Sequence, residues 1–343
     1  MPDSKKHVEV LSLVYLNEVQ SAKIKAISKQ IRLTVYPNRE FASIPSEVWK
    51  RTEVLLSGAL SLPKADQVPN LRWLQIRSAG VELALEQDIL ELPELVVTTA
   101  SGTMAPQMGE YTLMAILMLG HRLPAFIRDQ QESVWGSNAL KASQPLELRH
   151  STVGIVGYGS IGRELARLLQ PFGTTVLAAK RDAMHPEDQG YMPAGFGDPE
   201  GDFFTRLYPI EGLKDMLREC DFVVVALPHT PDTHELFDAE IFGAMKPGAF
   251  LVNVSRGGLI HEGAMLEALK SGQLGGAVLD VFQQEPLPAE SPFWSQPNVI
   301  ITPHVSGISA YGTDNLLDLF IENLKRYLAG ENLLNEVNLD HGY

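Results

Sequence analysis

Three residues whose types suit the chemistry of an oxo acid each follow a predicted strand. Arg256 lies in VNVSRGGLI, Glu285 in DVFQQEPLP and His304 in ITPHVSG. Because the carboxyl ends of strands in an open α/β sheet border the ligand crevice, side chains placed there converge. A guanidinium can hold a carboxylate and polarise the neighbouring ketone, and a histidine can deliver a proton as hydride arrives. A carboxylate behind the histidine orients the ring and favours its protonated form.

Taken alone, each residue has a plainer interpretation: a surface arginine, a loop glutamate and a buried histidine. Together, in this order and after successive strands, the three residue types predict the reduction of a 2-oxo acid. No metal site is predicted.

A glycine pattern predicts a binding site for the dinucleotide cofactor that such a reduction needs. The residues Gly157-x-Gly159-x-x-Gly162 lie between a predicted strand, 152–157, and an amphipathic helix. In this context the glycines permit a tight turn, a close approach of pyrophosphate and close helix–strand packing, and the helix N-terminus attracts the phosphates. The alternative is a glycine-rich turn without a ligand. The predicted dinucleotide-binding residues of the turn are Gly157, Tyr158, Gly159, Ser160, Ile161 and Gly162.

The residue that selects between NAD and NADP is expected at the end of the next strand, roughly twenty residues further on. The sequence there reads Ala-Ala-Lys180-Arg181-Asp182, with cations where an acidic residue would hold the ribose hydroxyls of NAD. Two cations suit a 2′-phosphate, so NADP (NADPH) is the predicted cofactor. NAD stays an alternative if Asp182 turns inward.

The composition of the chain disfavours several classes of binding partner and site. The 343 residues carry a formal charge of −14, which disfavours nucleic acid and anionic membranes as partners. The single cysteine, Cys220, excludes an internal disulfide and a multi-cysteine zinc site, and its apolar surroundings favour a buried structural thiol. No stretch approaches the ~20 apolar residues of a membrane helix, and no export segment is evident, so we expect a cytoplasmic protein.

Short apolar runs alternate with helical stretches, which predicts α/β architecture built twice. We expect two doubly wound parallel-sheet domains, Rossmann-like or flavodoxin-like, with the cofactor cleft between them. The dense apolar stretch 106–134 predicts a long helix that breaks near Gly120–Pro124 and crosses between domains. The expected division is a substrate-binding domain, 1–120 plus 310–343, and a dinucleotide-binding domain, 121–309. Two unconnected domains in series are the alternative. The predicted strands are 11–16, 31–36, 53–57, 71–76, 94–99, 152–157, 174–179, 221–227, 249–254, 276–281 and 298–303.

One segment departs from this alternation. Residues 183–210 are rich in Gly, Pro, Asp and aromatic residues. A loop of this length inside a compact domain is usually functional or disordered, so the segment is either a mobile surface insertion or part of a site. We hypothesise that it closes over the adenosine end of the cofactor and that Arg206 reaches the 2′-phosphate.

With the motifs GxGxxG, SRGG, DVFxxEP and PHVSG, the sequence resembles the D-isomer-specific 2-hydroxyacid dehydrogenases over about residues 71–335. The resemblance implies Arg256 as substrate anchor and the pair Glu285–His304 as acid/base relay, with Arg256 and His304 also beside the cofactor. It implies that backbone N–H groups of Ser78, Ala79 and Gly80 bind the substrate carboxylate. Further cofactor-lining positions implied by the resemblance are Pro228, Thr233, Val254, Ser255, Asp280, Ser306 and Gly307.

The resemblance also implies a homodimer that pairs through the segment from about His121 to Arg149, including Trp135. Two features depart from the family: His261 stands where Asp is common, and Lys180 resembles the NADP-type members such as glyoxylate or hydroxypyruvate reductases. Two other functions stay open, a formate dehydrogenase-like enzyme and a dinucleotide-sensing corepressor-like protein. The side chain of the 2-oxo or 2-hydroxy acid substrate also stays open, and it depends on how the loops around Met104 and Tyr311 pack.

Overall fold

The computed structural model describes residues 7–135 and 144–338, and its contacts divide the chain into two compact units. The described residues up to Thr103, with those from Ala310 onward, form unit 1, and Met104–Ser309 form unit 2. The division falls before the expected boundary at 120/121, because the helix Ala105–Gly120 packs into the core of unit 2. Its residues Ala115, Ile116 and Leu119 share an apolar cluster with Val153 and Phe250.

Unit 1 is a five-stranded parallel sheet in the order β2-β1-β3-β4-β5. This is the flavodoxin-like order of a doubly wound sheet. The strands β3 and β4 are buried along their whole length, as expected where helices cover both faces. The strands are β1 (Val8–Ser12), β2 (Ile31–Val35), β3 (Val54–Ser57), β4 (Trp73–Ile76) and β5 (Val96–Thr98).

Three helices accompany this sheet among the described residues: α1 (Glu18–Ile27), α2 (Ser46–Arg51) and, from the far end of the chain, α9 (Gly312–Ala329). An Asn17 capping box begins α1, with Asn17 accepting from the Gln20 amide and Gln20 accepting from the Asn17 amide. The helix α9 packs in unit 1 because its apolar face meets the core of that unit. Phe320 on this face stacks on the buried ring of Trp73, with 5.0 Å between ring centroids.

Unit 2 is a seven-stranded parallel sheet in the order β12-β11-β10-β9-β6-β7-β8. Counted within the unit, this is the Rossmann order 3-2-1-4-5-6 with one further strand. The predicted α/β class with two parallel sheets is therefore confirmed. The strands are β6 (Thr152–Val156), β7 (Thr175–Ala179), β8 (Arg206–Tyr208), β9 (Phe222–Val225), β10 (Ala249–Asn253), β11 (Leu274–Leu279) and β12 (Val299–Ile301).

The predicted helix break near Gly120–Pro124 is confirmed. One helix ends at Gly120 and the next begins at Leu123, with Arg122 between them in the left-handed region at φ 57°. Cys220 is buried as predicted, and burial raises the pKa of its thiol to about 12. The helices of this unit are α3 (Ala105–Gly120), α4 (Leu123–Gln131), α5 (Ser160–Leu169), α6 (Leu213–Leu217), α7 (Ala239–Ala244) and α8 (Glu262–Ser271).

The segment expected as a surface insertion, 183–210, contains an unpredicted strand, β8, that pairs with β7 in parallel. Neighbouring parallel strands require a crossover connection. Residues 180–205, all of them described, form that crossover without a helix. The buried side chain of Asp198 and the packing of Phe203 and Phe204 against the core show that it is a packed part of the unit.

Strands β10, β11 and β12 are neighbours in this sheet. The segments that follow them carry Arg256, Glu285 and His304 respectively. Among the described residues no helix has the length and apolarity needed to cross a membrane. Within the same residues, no group of three or more His, Cys, Asp and Glu side chains is arranged to hold a metal ion.

Candidate active site

His304 and Glu285 are in direct contact. The distance from His304 Nδ1 to Glu285 Oε2 is 2.7 Å, and Glu285 Oε1 accepts a hydrogen bond from the Phe282 amide at 3.0 Å. The second bond fixes the carboxylate, so the carboxylate in turn fixes the ring. With Nδ1 facing a carboxylate, Nε2 is the ring nitrogen that can exchange a proton with a bound oxygen atom. The His304 side chain is 48% exposed, which leaves it accessible to a ligand.

The backbone of His304 has a left-handed conformation, with φ 53°, which is uncommon for a residue with a side chain. Two hydrogen bonds hold it: the His304 amide donates to the carbonyl of Asp280 at 2.9 Å and to that of Thr302 at 3.1 Å. The conformation is therefore imposed by the end of β11, the strand that Asp280 follows.

The Asp280 carboxylate, which is 1% exposed, holds the loop after His304. It accepts from the Val305 and Ser306 amides, both at 2.9 Å, and from the Thr302 hydroxyl at 2.6 Å. Burial alone would raise the pKa of Asp280, but these hydrogen bonds outweigh it and hold the pKa below its ordinary value. The side chain is thus ionised and fully engaged in positioning the loop.

Tyr111, on α3, extends this network. Its hydroxyl lies 2.5 Å from the Thr302 hydroxyl, and burial raises the pKa of the phenol. Tyr111, Thr302 and Asp280 therefore form one chain of contacts from α3 to the His304 loop. Sequence reasoning missed Tyr111 and Thr302. The one available signal was a threonine two residues before His304, at the end of a strand.

Arg256 lies on the turn after β10, next to the Glu285 loop. Asn253 is fully buried, and its side chain donates to the Arg256 carbonyl at 3.1 Å and accepts from the Ser255 amide at 3.1 Å. A Cβ on Gly257 would lie 1.9 Å from the carbonyl carbon of Phe282, so only glycine lets the two backbones meet. The Arg256 guanidinium donates to the Ser255 carbonyl. Asn253 was also missed from sequence, although it is polar and ends an apolar strand.

The glycine turn has the geometry expected of a phosphate cradle. Gly157 has φ 107°, and a Cβ there would lie 2.5 Å from the Ala226 carbonyl oxygen, so the turn requires glycine. A Cβ on Gly162 would collide with the Gly157 carbonyl oxygen at 2.5 Å, whereas one on Gly159 would meet nothing within 4 Å. The open space therefore lies at Gly159, the N-cap of α5, where a pyrophosphate can approach the backbone. The residues fit a dinucleotide.

Two neighbours of that turn were also predicted to bind the cofactor. Ser160 and Ile161 form the first turn of α5. The phenol of Tyr158 is 2% exposed and donates to Asp198 at 2.6 Å. The Tyr158 side chain is therefore committed to the crossover, which leaves its backbone for any contact with a dinucleotide.

Lys180 and Arg181 follow the end of β7, at the position predicted to select the cofactor. The Lys180 ammonium donates to the carbonyls of His185 at 2.5 Å and Glu187 at 3.2 Å, and burial lowers its pKa. Arg181 follows and is exposed. Asp182 accepts from the Met184 amide and contacts the His185 ring at 2.7 Å, and this histidine lowers the pKa of the carboxyl. Asp182 is thus engaged in a local turn in this structure.

Arg206 is placed differently from the hypothesis that it reaches a 2′-phosphate. On β8 it pairs with Leu177, about 10 Å before Lys180 along the strands. Its guanidinium donates to the Tyr208 hydroxyl at 2.9 Å and lies 3.8 Å from Glu219. The strand β8, which was not predicted, thus explains the position of Arg206: it lies on the edge strand of the sheet, at the amino end of β8 and away from the carboxyl ends of the strands.

The remaining predicted cofactor positions lie on the loops after β9, β10 and β12. Thr233 donates to the Pro228 carbonyl at 2.8 Å and closes the loop after β9. Val254 and Ser255 are buried beside it, with the Ser255 hydroxyl donating to the Leu227 carbonyl. Ser306 is buried, and its amide donates to the Asp280 carboxylate. A Cβ on Gly307 would lie 3.1 Å from Met104 Sδ.

The predicted substrate loop, Ser78-Ala79-Gly80, belongs to unit 1 and follows β4. The Ser78 hydroxyl donates to the Gly80 carbonyl at 2.8 Å, and the Ser78 carbonyl accepts from the Ala100 amide at 2.9 Å. The loop is thus an ordered turn. Its assignment to the substrate carboxylate stays a prediction.

His261, which replaces the Asp common in the resembled family, is the N-cap of α8. Its Nδ1 accepts from the Ala264 amide at 3.1 Å. A histidine nitrogen here satisfies an amide of the first helical turn, as an aspartate oxygen would. The departure therefore keeps the capping bond and does not alter the pair Glu285–His304.

Comparison with known proteins agrees with these features. The model of the D-isomer specific 2-hydroxyacid dehydrogenase NAD-binding domain matches residues 113–306, more than half of the chain. Glyoxylate reductase/hydroxypyruvate reductase of Mus musculus is 33% identical over 272 residues, which cover 79% of this chain and 78% of that protein.

Two crystal structures extend the similarity over nearly the whole chain. A D-isomer specific 2-hydroxyacid dehydrogenase family protein of Aeromonas salmonicida has a TM-score of 0.77 and 34% identity, covering 98% of this chain and 100% of that one. A D-isomer specific 2-hydroxyacid dehydrogenase of Xanthobacter autotrophicus Py2, in complex with NADPH and MES, has a TM-score of 0.78 and 27% identity over the same shares. By motif, fold and relatives, the chain belongs to the D-isomer-specific 2-hydroxyacid dehydrogenases, a family of NAD(P)-dependent oxidoreductases.

Proposed function

We propose that the protein reduces a small 2-oxo acid to the corresponding D-2-hydroxy acid and that NADPH is its preferred hydride donor. The observation that carries the proposal is the 2.7 Å contact between His304 and Glu285, at the same sheet edge as the Arg256 turn. The candidate acid/base pair and the candidate anchoring cation thus lie on segments that follow neighbouring strands. Reduction of an oxo acid needs both.

NADPH, when bound, supplies the hydride that forms the new C–H bond at the carbonyl carbon. His304 delivers a proton from Nε2 to the carbonyl oxygen, so that the C=O bond becomes C–OH. Glu285 holds the ring by Nδ1 and so directs Nε2 to the carbonyl oxygen. Arg256 anchors the substrate carboxylate and polarises the ketone.

The proposed preference for NADPH rests on the end of β7. Lys180 and Arg181 stand where NAD-selecting proteins carry a carboxylate, and the next carboxylate along the sequence, Asp182, is bound to His185. The Xanthobacter relative holds NADPH, which supports the same choice here. NAD is the alternative cofactor.

The substrate class follows from the relatives and from the site. The mouse relative is a glyoxylate and hydroxypyruvate reductase, so we place these two short acids first among the substrates to be tested. Pyruvate, branched 2-oxo acids and phenylglyoxylate extend the series in size. A panel of these acids, assayed with NADPH and with NADH, tests the function directly.

The expected result is oxidation of NADPH with at least one short 2-oxo acid, faster than with NADH. A protein that binds NADPH in calorimetry but turns over none of the acids would contradict the enzyme assignment. It would instead support a dinucleotide-sensing protein on the same fold.

We further propose that two copies of the chain pair through α4. Three apolar side chains of this helix, Leu123, Phe126 and Ile127, are exposed, and Trp135 shortly after it is 98% exposed. Apolar side chains clustered on one helix face favour a protein partner, and a second copy gives a closed, symmetric assembly. Of the segment His121–Arg149 predicted to pair, residues 136–143 lie outside the described residues.

A further inference from the structure

The crossover that follows β7 is fixed to α5 by buried charged groups. Arg163, Glu164 and Asp198 are each at most 2% exposed. Charged side chains this deeply buried persist only when they are paired or hydrogen-bonded, because the cost of removing them from water is large. Their bonds therefore show which parts of the crossover are held and where.

Arg163 makes most of these bonds. Its guanidinium donates to the carbonyls of Asp198 and Pro186, lies 3.3 Å from the Asp188 carboxylate and stacks 4.9 Å from the Tyr158 ring centre. Glu164 makes a further hydrogen bond near the far end of the crossover, where its carboxylate accepts from the Gly197 amide at 2.7 Å. The crossover is thus attached to α5 at two separate places.

The segment 185–188 is shared between two cations. Lys180 donates hydrogen bonds to the carbonyls of His185 and Glu187. Arg163 donates to the carbonyl of Pro186, which lies between them in the sequence, and forms an ion pair with the Asp188 carboxylate. The segment therefore joins a buried arginine of the dinucleotide-binding helix to the lysine at the selecting position. An ammonium has three donors, and with two of them directed to this segment, the third can be donated to a phosphate oxygen.

We propose that Arg163 is a positioning residue for cofactor selection. By fixing the segment 185–188 it holds the Lys180 ammonium at the end of β7, and it thereby sets the preference for the 2′-phosphate of NADPH over the hydroxyl of NADH. The inference rests on the proposed preference for NADPH. It differs from the direct contact first hypothesised for Arg206, because Arg163 acts through the backbone of the crossover.

The test compares Arg163→Met with a matched control, Arg167→Met. Arg167 lies one turn further along the same helix, pairs with Glu164 and stacks on Phe196, so its loss disturbs the other attachment. We expect Arg163→Met to raise KM for NADPH about tenfold or more while KM for NADH changes less than about threefold. Arg167→Met should leave the ratio of the two KM values unchanged.

A binding measurement separates this role from general damage. Calorimetry of Arg163→Met should show a loss of affinity for adenosine 2′,5′-bisphosphate and an unchanged affinity for adenosine 5′-monophosphate. In a Lys180→Met background, Arg163→Met should have no further effect on this selectivity, since the two residues act on one group. Equal losses for both ligands, or effects that add, would overturn the proposal. If Arg163→Met does not fold, Arg163→Lys, which keeps the charge and loses the paired donors, takes its place.

The outcomes distinguish this inference from the proposed cofactor. A wild-type enzyme without preference for NADPH would contradict the cofactor assignment itself. A wild-type enzyme that prefers NADPH, and loses the preference with Lys180→Met but not with Arg163→Met, would leave the cofactor assignment intact and reject the role of Arg163.

Discussion

Asp280 holds His304 through both its main chain and its side chain. The Asp280 carbonyl accepts from the His304 amide, and its carboxylate accepts from the next two amides of the loop. His304 therefore takes its position from the end of β11, while Glu285 orients only its ring. We therefore expect the residues that hold this loop to affect the proposed reaction through the position of His304.

The first prediction concerns Thr302, which donates to Asp280 and contacts Tyr111. Thr302→Val keeps the shape but removes the hydroxyl, so we expect kcat to fall about tenfold while the Kd for NADPH stays within about twofold. Thr302→Ser keeps the hydroxyl and should restore most of kcat. Stopped-flow turnover and fluorescence titration measure the two constants. A kcat of Thr302→Val equal to that of the wild type would contradict a positioning role.

Asp280→Asn gives a prediction on pH and stability. Hydrogen bonds hold the folded pKa of Asp280 below its ordinary value of about 3.9. The ionised carboxylate therefore stabilises the fold above that pH, and this contribution is lost as the pH falls through the folded pKa. We expect Asp280→Asn to lower the free energy of unfolding by about 1–3 kcal/mol at pH 7. The difference from the wild type should shrink below about pH 4, measured by urea unfolding. A difference that is constant from pH 7 to pH 3 would speak against this ionised, hydrogen-bonded state.

His304→Ala tests the proposed acid. Without the imidazole no group delivers the proton, so kcat should fall about 10²-fold or more, while NADPH binds as in the wild type. His261→Ala serves as the control, because His261 caps a helix in the same unit and has no part in the proposed chemistry. Single-turnover kinetics and calorimetry provide the measurements. Unchanged turnover would remove His304 from the mechanism.

The cofactor assignment predicts the effect of exchanging charge at the end of β7. Lys180→Asp combined with Arg181→Ala removes two cations and supplies a carboxylate, so the preference should shift from NADPH toward NADH by about 10²-fold in kcat/KM. Arg218→Ala, which removes an exposed arginine of the same unit, is the control. If the double variant keeps the wild-type preference, the two cations do not select the cofactor.

Dimer formation is tested on α4. Phe126→Asp places a charge among the exposed apolar side chains of this helix and should convert the proposed dimer to a monomer at micromolar concentration. Leu60→Asp, at a more exposed leucine of unit 1, should have no such effect. Light scattering coupled to size-exclusion chromatography gives the mass of each. A Phe126→Asp variant with the mass of two chains would exclude this helix from the interface.

The main features of both sheets could be predicted from the sequence because they depend on local patterns. Apolar runs marked the long parallel strands, and the glycine turn and the segments carrying Glu285 and His304 followed from residue type and spacing. The contact between Glu285 and His304 was predicted with them and is present at 2.7 Å.

Other features depend on contacts between distant residues, and no local pattern marks them. The strand β8 has three residues and begins with an exposed arginine, so it lacks an apolar signature. The bond between Tyr158 and Asp198 joins residues far apart in the chain, and it is one of those that turn an apparent insertion into a packed crossover. The assignment of α3 to unit 2 likewise depends on which core its apolar face meets.

The alternating carbonyls of residues 185–188 have a consequence for engineering. Lys180 is held through main-chain oxygens, so under our proposal the path of the backbone positions the ammonium, and the Glu187 side chain has no part in that contact. The His185 side chain has a separate role, because its ring contacts Asp182. Grafting lysine alone onto a relative would transfer the charge without the backbone that holds it. On the proposed role of Arg163, a transplant that preserves selectivity carries the whole crossover together with this arginine.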